Sequence, residues 1–180
     1  MPDFKGETTF FSLPANSPHY AGVGRVASEW ARLEWDIDRT SWVLAGVKEE
    51  QGACMTAQIS SIQPRLRALI ALAQLDNQPA KNISALNKFA ADCNPIAIKR
   101  NRAIHDAWWL GSTTKKAAQL RLTADKKLDY RFREVPEGEL EAIKEEIKTL
   151  AARFYKIQTA MFVARRRSVS FSTSPRTSEK

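Results

Sequence analysis

Residues 136–167 read PEGELEAIKEEIKTLAARFYKIQTAMFVARRR, and the fold follows from how this stretch is read. Leu140, Ile143, Ile147, Leu150, Phe154, Ile157, Met161 and Ala164 recur at alternating spacings of three and four. That period places them on one face of an α-helix. Glu137, Glu139 and Glu141 stand near its positive end and Arg165, Arg166 and Arg167 at its negative end, so both charge placements suit the helix dipole. A seam of this length needs other helices to cover it, and it is long enough to extend into contact with a second copy.

Upstream, the covering helices are legible. Ser17-Pro18 reads as an N-cap followed by proline in the first turn. The helix it opens is expected to reach about Val47, with Val26, Trp30, Leu33, Ile37, Leu44 and Val47 inward. Glu49 to Gly52 reads as a loop. A second helix is expected over 53–75, with Met55, Ile59, Ile62, Leu66, Leu69 and Leu72 inward and a kink at Pro64. Pro79 opens a third, with Ile83, Leu86, Ala90 and Cys93 inward. Pro95 should break or bend it, because it pushes Asn94 out of the helical region. A short separate helix then spans about 96–107. Leu120 and Leu122, then Leu128, Tyr130 and Phe132, alternate with polar residues and predict a β-hairpin at about 117–134. Its other face carries Arg121, Asp129, Arg131 and Arg133. The fold class expected is all-α: an antiparallel up-down bundle of four main helices plus a short motif-bearing helix, with a small β-hairpin before the last helix. Residues 1–16 read as irregular, 17–167 as the bundle, and 168–180 as a disordered basic tail.

A chain of 180 residues suits one domain with a sizeable core. Two cysteines are too few for a disulfide framework, and Cys54 and Cys93 both read as buried core thiols. Neither His19 nor His105 has a partner at metal-ligand spacing, so no metal and no cofactor is expected. There is no glycine-rich phosphate loop, no Gly-x-Ser-x-Gly and no dinucleotide fingerprint. The start shows no secretory signal, and the most apolar runs, 43–47 and 69–73, are too short to span a bilayer. The tail has little but Val169 and Phe171 to offer a lipid surface. A cytoplasmic location without a membrane partner is the expectation.

The net charge of +8 is unevenly placed. Residues 97–133 hold 10 bases against 3 acids and residues 165–180 hold 5 against 1, while the remainder is close to neutral. Such concentration attracts polyanions, although it also serves as a solvated surface.

The first basic segment contains Lys99-Arg100-Asn101-Arg102-Ala103-Ile104-His105-Asp106-Ala107-Trp108-Trp109. On a helix Asn101 lies beneath His105, and Arg102 sits one turn before both His105 and Asp106. Arg100 is about 140° around the axis from His105, but its side chain is long. These residues suit a plain structural role: an Arg102–Asp106 surface pair, a helix-end histidine, and two tryptophans sealing the core. They also suit phosphodiester cleavage. Imidazole can take a proton from a ribose 2′-hydroxyl near neutral pH, and guanidinium can hold phosphate as charge grows on its oxygens. DNA lacks that hydroxyl, so such chemistry would select RNA. Lys99 and Arg102 would then bind substrate, and Trp108 and Trp109 could stack on bases.

Arg100, followed directly by Asn101 and then by His105, resembles the signature of HEPN-type ribonucleases: an arginine with a polar neighbour and, a few residues later, a histidine. The setting is similar too, with long helices first, the motif late, a tryptophan shortly after and a long final helix, over roughly residues 20–165. The resemblance implies a homodimer whose motifs face each other in one cleft, and metal-independent RNA cleavage leaving cyclic phosphate ends. It implies Arg100 on phosphate, Asn101 positioning, and His105 as acid and base. It also implies a toxin or antiviral role with a neutralising partner protein. The alternative is a non-catalytic helical module that binds nucleic acid or a partner protein through the basic segment and tail.

Overall fold

The 136–167 seam is buried where its spacing places it. In the computed structural model, which describes residues 9–125 and 127–172 and the side chains of 9–124 and 128–166, α5 (Glu139–Ser172) buries Ile143, Ile147, Leu150, Phe154 and Met161. These meet Val26, Trp30, Leu33 and Ile37 of α1 (Pro18–Ala45) and Leu86, Phe89 and Cys93 of α4 (Ala80–His105). The rings of Phe89 and Phe154 lie 5.3 Å apart at their centroids. α3 (Ile62–Leu75) adds Leu66, Leu69 and Ala73 and packs against both α1 and α4. Each large side chain so buried contributes roughly 1.5–3 kcal/mol. Ser17 caps α1 by accepting the His19 backbone N–H, with Pro18 in the first turn.

The region expected as one helix over 53–75 is two. α1 stops at Ala45 because Gly46 takes the left-handed conformation, φ 68°. The expected loop at 49–52 instead begins α2 (Glu49–Thr56), with Glu49 and Glu50 at its positive end. Met55 and Cys54 of α2 are exposed, so neither belongs to the core. α2 lies against Trp42 of α1, and only a glycine allows that approach: a Cβ at Gly52 would stand 2.3 Å from the Trp42 ring. Pro64 does not kink a helix. It is the third residue of α3, where the backbone N–H has no partner within the helix in any case. Arg65 ties α3 to α1 through a largely buried pair with Asp38 and donates to the Ile59 carbonyl, 2.6 Å, across the turn between α2 and α3.

The expected break at Pro95 is also absent: α4 runs through it, and the motif lies on this long helix rather than on a short one of its own. Phe89 and Cys93 before the proline and Ala97 and Ala103 after it continue one buried stripe. An interior proline costs ~3 kcal/mol, and packing of α4 on both sides of it against α1 and α5 opposes that cost.

The all-α expectation holds only for the bundle. The hairpin, β3 (Ala117–Asp125) and β4 (Lys127–Glu134), falls where the alternation places it, with Leu120 opposite Phe132 and Leu122 opposite Tyr130. It is half of an antiparallel four-stranded sheet, in order β1–β2–β3–β4. β2 (Trp108–Gly111) follows α4 directly, and β1 (Phe10–Ser12) comes from the segment expected to be irregular. Phe10 stacks on Phe132 at 3.8 Å, so an aromatic contact with the hairpin recruits this N-terminal strand. α5 continues to Ser172, past the expected boundary at 167; residues 1–8 and the remainder of the expected tail, 173–180, lie outside the described residues. Among the described residues no helix is long and apolar enough to cross a membrane.

Two outcomes follow from this packing. Gly52→Ala must push α2 off Trp42, costing ~1–3 kcal/mol by overpacking, read as a lowered midpoint in thermal unfolding. Burial, reinforced by Glu34, pushes the Cys93 thiol up to about 12, so iodoacetamide near neutral pH should label exposed Cys54 and reach Cys93 only after denaturation.

Candidate functional site

The end of α4 is held by side chains from the sheet. A helix leaves its last carbonyls without partners inside the helix. Here the Trp108 indole N–H donates to the Ala103 carbonyl, 2.9 Å, and the Gln119 amide donates to the Arg102 carbonyl, 3.3 Å, which also accepts the Asp106 backbone N–H, 3.1 Å. Gln119 is 2% exposed and its oxygen also accepts from Arg133, 3.4 Å. Arg133 in turn grips Glu139, the first residue of α5, through both carboxylate oxygens. The hairpin therefore bolts the motif-bearing end of α4 to the start of α5.

Within the motif, Arg100 is half-buried. Its guanidinium lies 5.8 Å over the Trp30 ring and donates to the Asn101 side-chain oxygen, 2.9 Å. Burial lowers the Arg100 pKa from the ordinary guanidinium value, and Glu34 opposes the shift. Asn101 and His105 are exposed, one turn apart on one face. Asn101 thus links the two: it holds Arg100 and stands beneath the imidazole. No direct contact joins Arg100 to His105. Trp108 and Trp109 are on β2, half-buried and engaged within the fold, Trp108 beside His19 at 5.5 Å and Trp109 edge-on to Phe132 at 6.1 Å. Lys99 pairs with Glu146 at 2.7 Å. Arg102 and Asp106 feel each other's charge but form no ion pair among the described residues.

Beside the motif, the structure assembles a groove of about 350 Å³. Arg102 and Lys99 line it from α4, Gln119, Arg121 and Arg133 from the hairpin, and Glu139 from α5, together with the apolar Ala103, Leu140 and Ile143. Burial lowers the Arg121 pKa, and repulsion from Arg102, Arg133 and Arg131 adds to the shift, with Asp106 opposing. Burial raises the Asp106 pKa against the pull of Arg102, Arg121, His105 and Arg133. A larger groove of about 860 Å³ lies between the start of α1 and the start of α5. Arg25, Lys115 and Lys116 line it with Glu134, Glu137, Glu139 and Glu141, three bases against four acids, so it has no preference for anions. Among the described residues no group of three or more His, Cys, Asp and Glu side chains is placed to hold a metal ion.

Arg121 and Arg133 are the site residues that spacing alone does not single out. The strand alternation puts them on the polar face of the hairpin, but nothing local says that this face meets α4. No protein-family model matches the chain, and neither a curated protein nor a solved structure matches it significantly. The site is accordingly read from its own residues.

Gln119→Leu should take from one Arg133 donor its buried acceptor and from the Arg102 carbonyl its second donor, leaving that carbonyl the Asp106 N–H alone. The expected cost is ~1–3 kcal/mol, measured by urea unfolding.

Proposed function

We propose that the chain is an endoribonuclease that cleaves without a metal, with the end of α4 as its reacting surface. The observation that carries this reading is the Arg100–Asn101 hydrogen bond one turn below an exposed His105 on a strongly cationic segment. The HEPN-like spacing of these three residues supports it. In the reaction, His105 takes the proton from a ribose 2′-hydroxyl. The 2′-oxygen attacks the adjacent phosphorus, the bond from phosphorus to the 5′-oxygen breaks, and a protonated imidazole returns a proton to that oxygen. The products are a 2′,3′-cyclic phosphate and a 5′-hydroxyl, with no water consumed. Arg100 stabilises the charge that grows on the phosphate oxygens, and Asn101 keeps the guanidinium aimed. His105 is exposed on a single copy, and a homodimer that brings two such ends together would close the cleft and exclude water. A toxin or antiviral role under a neutralising partner protein belongs to this reading.

A second reading is non-catalytic binding of nucleic acid or a partner protein. It is favoured by the place of the Arg100 guanidinium over the Trp30 ring, without contact to His105.

The test compares wild type with His105→Ala on single-stranded RNA and on DNA of the same sequence, in the presence of a chelator. Wild type should cut RNA only, leaving cyclic phosphate ends. The variant should lose activity by a factor of about 10² or more while keeping its circular-dichroism spectrum. Equal cleavage by the variant rejects the assignment. Salt-sensitive RNA binding with no turnover by wild type favours the second reading.

A further inference from the structure

The groove between α4 and the hairpin holds more positive charge than its own residues neutralise. Two of its cations are paired, Lys99 with Glu146 and Arg133 with Glu139. Arg102 and Arg121 have no ion pair and no side-chain hydrogen bond among the described residues. Asp106 is the carboxylate whose field reaches both, and it is shared with Arg133 and His105. The arrangement works against folding. Arg121 stands directly opposite Arg131 in the antiparallel ladder, and like charges so placed are destabilising. The Arg121 Nε is buried without a partner. Gln119 and the Arg133–Glu139 pair nonetheless fasten the hairpin in the position that brings Arg121 up to Arg102.

We infer that this groove is a phosphate subsite and that Arg102 and Arg121 are its two binding residues. The ligand is a backbone phosphate of single-stranded RNA, next along the strand from the phosphate presented to His105. The inference rests on the RNA reading above for the identity of that ligand. Two guanidinium forks lining one groove can each offer paired N–H donors to the oxygens of a phosphodiester; Glu139 lines the groove too, but its carboxylate is held by Arg133. Arg102 stands one turn before His105 on α4, so a strand that occupies the subsite passes the imidazole. The hairpin is thereby a substrate clamp and not only a cover for the bundle.

Fluorescence anisotropy of a short, labelled single-stranded RNA with the full chain carrying His105→Ala measures binding apart from cleavage. Arg102→Gln and Arg121→Gln, each added to that background, should weaken binding roughly tenfold and lower the salt slope by about one. Asp106→Asn removes the opposing carboxylate and should tighten binding several-fold, a gain that misfolding cannot produce. Lys116→Gln, in the larger groove where acids outnumber bases, should leave affinity unchanged. Wild-type affinity and salt slope in Arg121→Gln would overturn the inference, as would equal Arg121-dependent binding of an acidic peptide. Cleavage by wild type with no Arg121 dependence of binding would leave the nuclease reading standing and sink the subsite. Arg121-dependent RNA binding without any cleavage would do the reverse.

Discussion

The contact on which the molecule depends is that of α5 with α1 and α4. Phe154 and Ile147 of α5, Phe89 of α4 and Trp30 of α1 are all essentially removed from water, and they hold together three helices distant in sequence. Protein interiors are close-packed, so this seam sets the helices' relative positions tightly. It also carries α4 unbroken past Pro95 and delivers the Arg100-Asn101 pair and His105 to the edge of the bundle. Trp30 has two roles: it fills the core and offers its ring to the Arg100 guanidinium. The candidate chemistry is therefore built onto the packing.

The sheet completes what the bundle begins. Helix termini are where backbone groups lack partners, and Trp108 and Gln119 supply them at the end of α4. Trp108 thereby serves the Ala103 carbonyl, Gln119 adds a second donor to that of Arg102, and the strand that follows is ordered. The same hydrogen bonds bring the polar face of the hairpin across the end of the helix, so Arg121 and Arg133 arrive beside Arg102. Structural satisfaction and charge concentration are consequences of one docking event. Asp106, set among three arginines and a histidine, tempers the charge without cancelling it.

Several local signals in the chain are opposed by tertiary contacts, and the outcome follows the larger energy. Proline in a helix interior costs about 3 kcal/mol, yet α4 continues past it, held beyond Pro95 by Ala97 and Ala103 in the core and by the bonds that Trp108 and Gln119 make to its end. Pro64 shows the converse: at the third position of α3 it costs nothing, and the chain uses it to begin a helix. Gly52 reads as a loop residue by composition but is the point at which α2 presses on Trp42.

The residue pattern alone determined the seam of α5, the inward faces of α1 and α4, the cap at Ser17-Pro18, the hairpin with its two faces, and the Arg100-Asn101-His105 spacing. These are properties of period and neighbour type, which act within a few turns. Only the tertiary structure decided that α4 passes Pro95, that residues 10–12 join the hairpin in a four-stranded sheet, that Cys54 faces solvent, and that Arg121 meets Arg102. Each of these depends on contacts between residues far apart along the chain. Local periodicity cannot encode such contacts, because their energy exists only once the partner surface has formed.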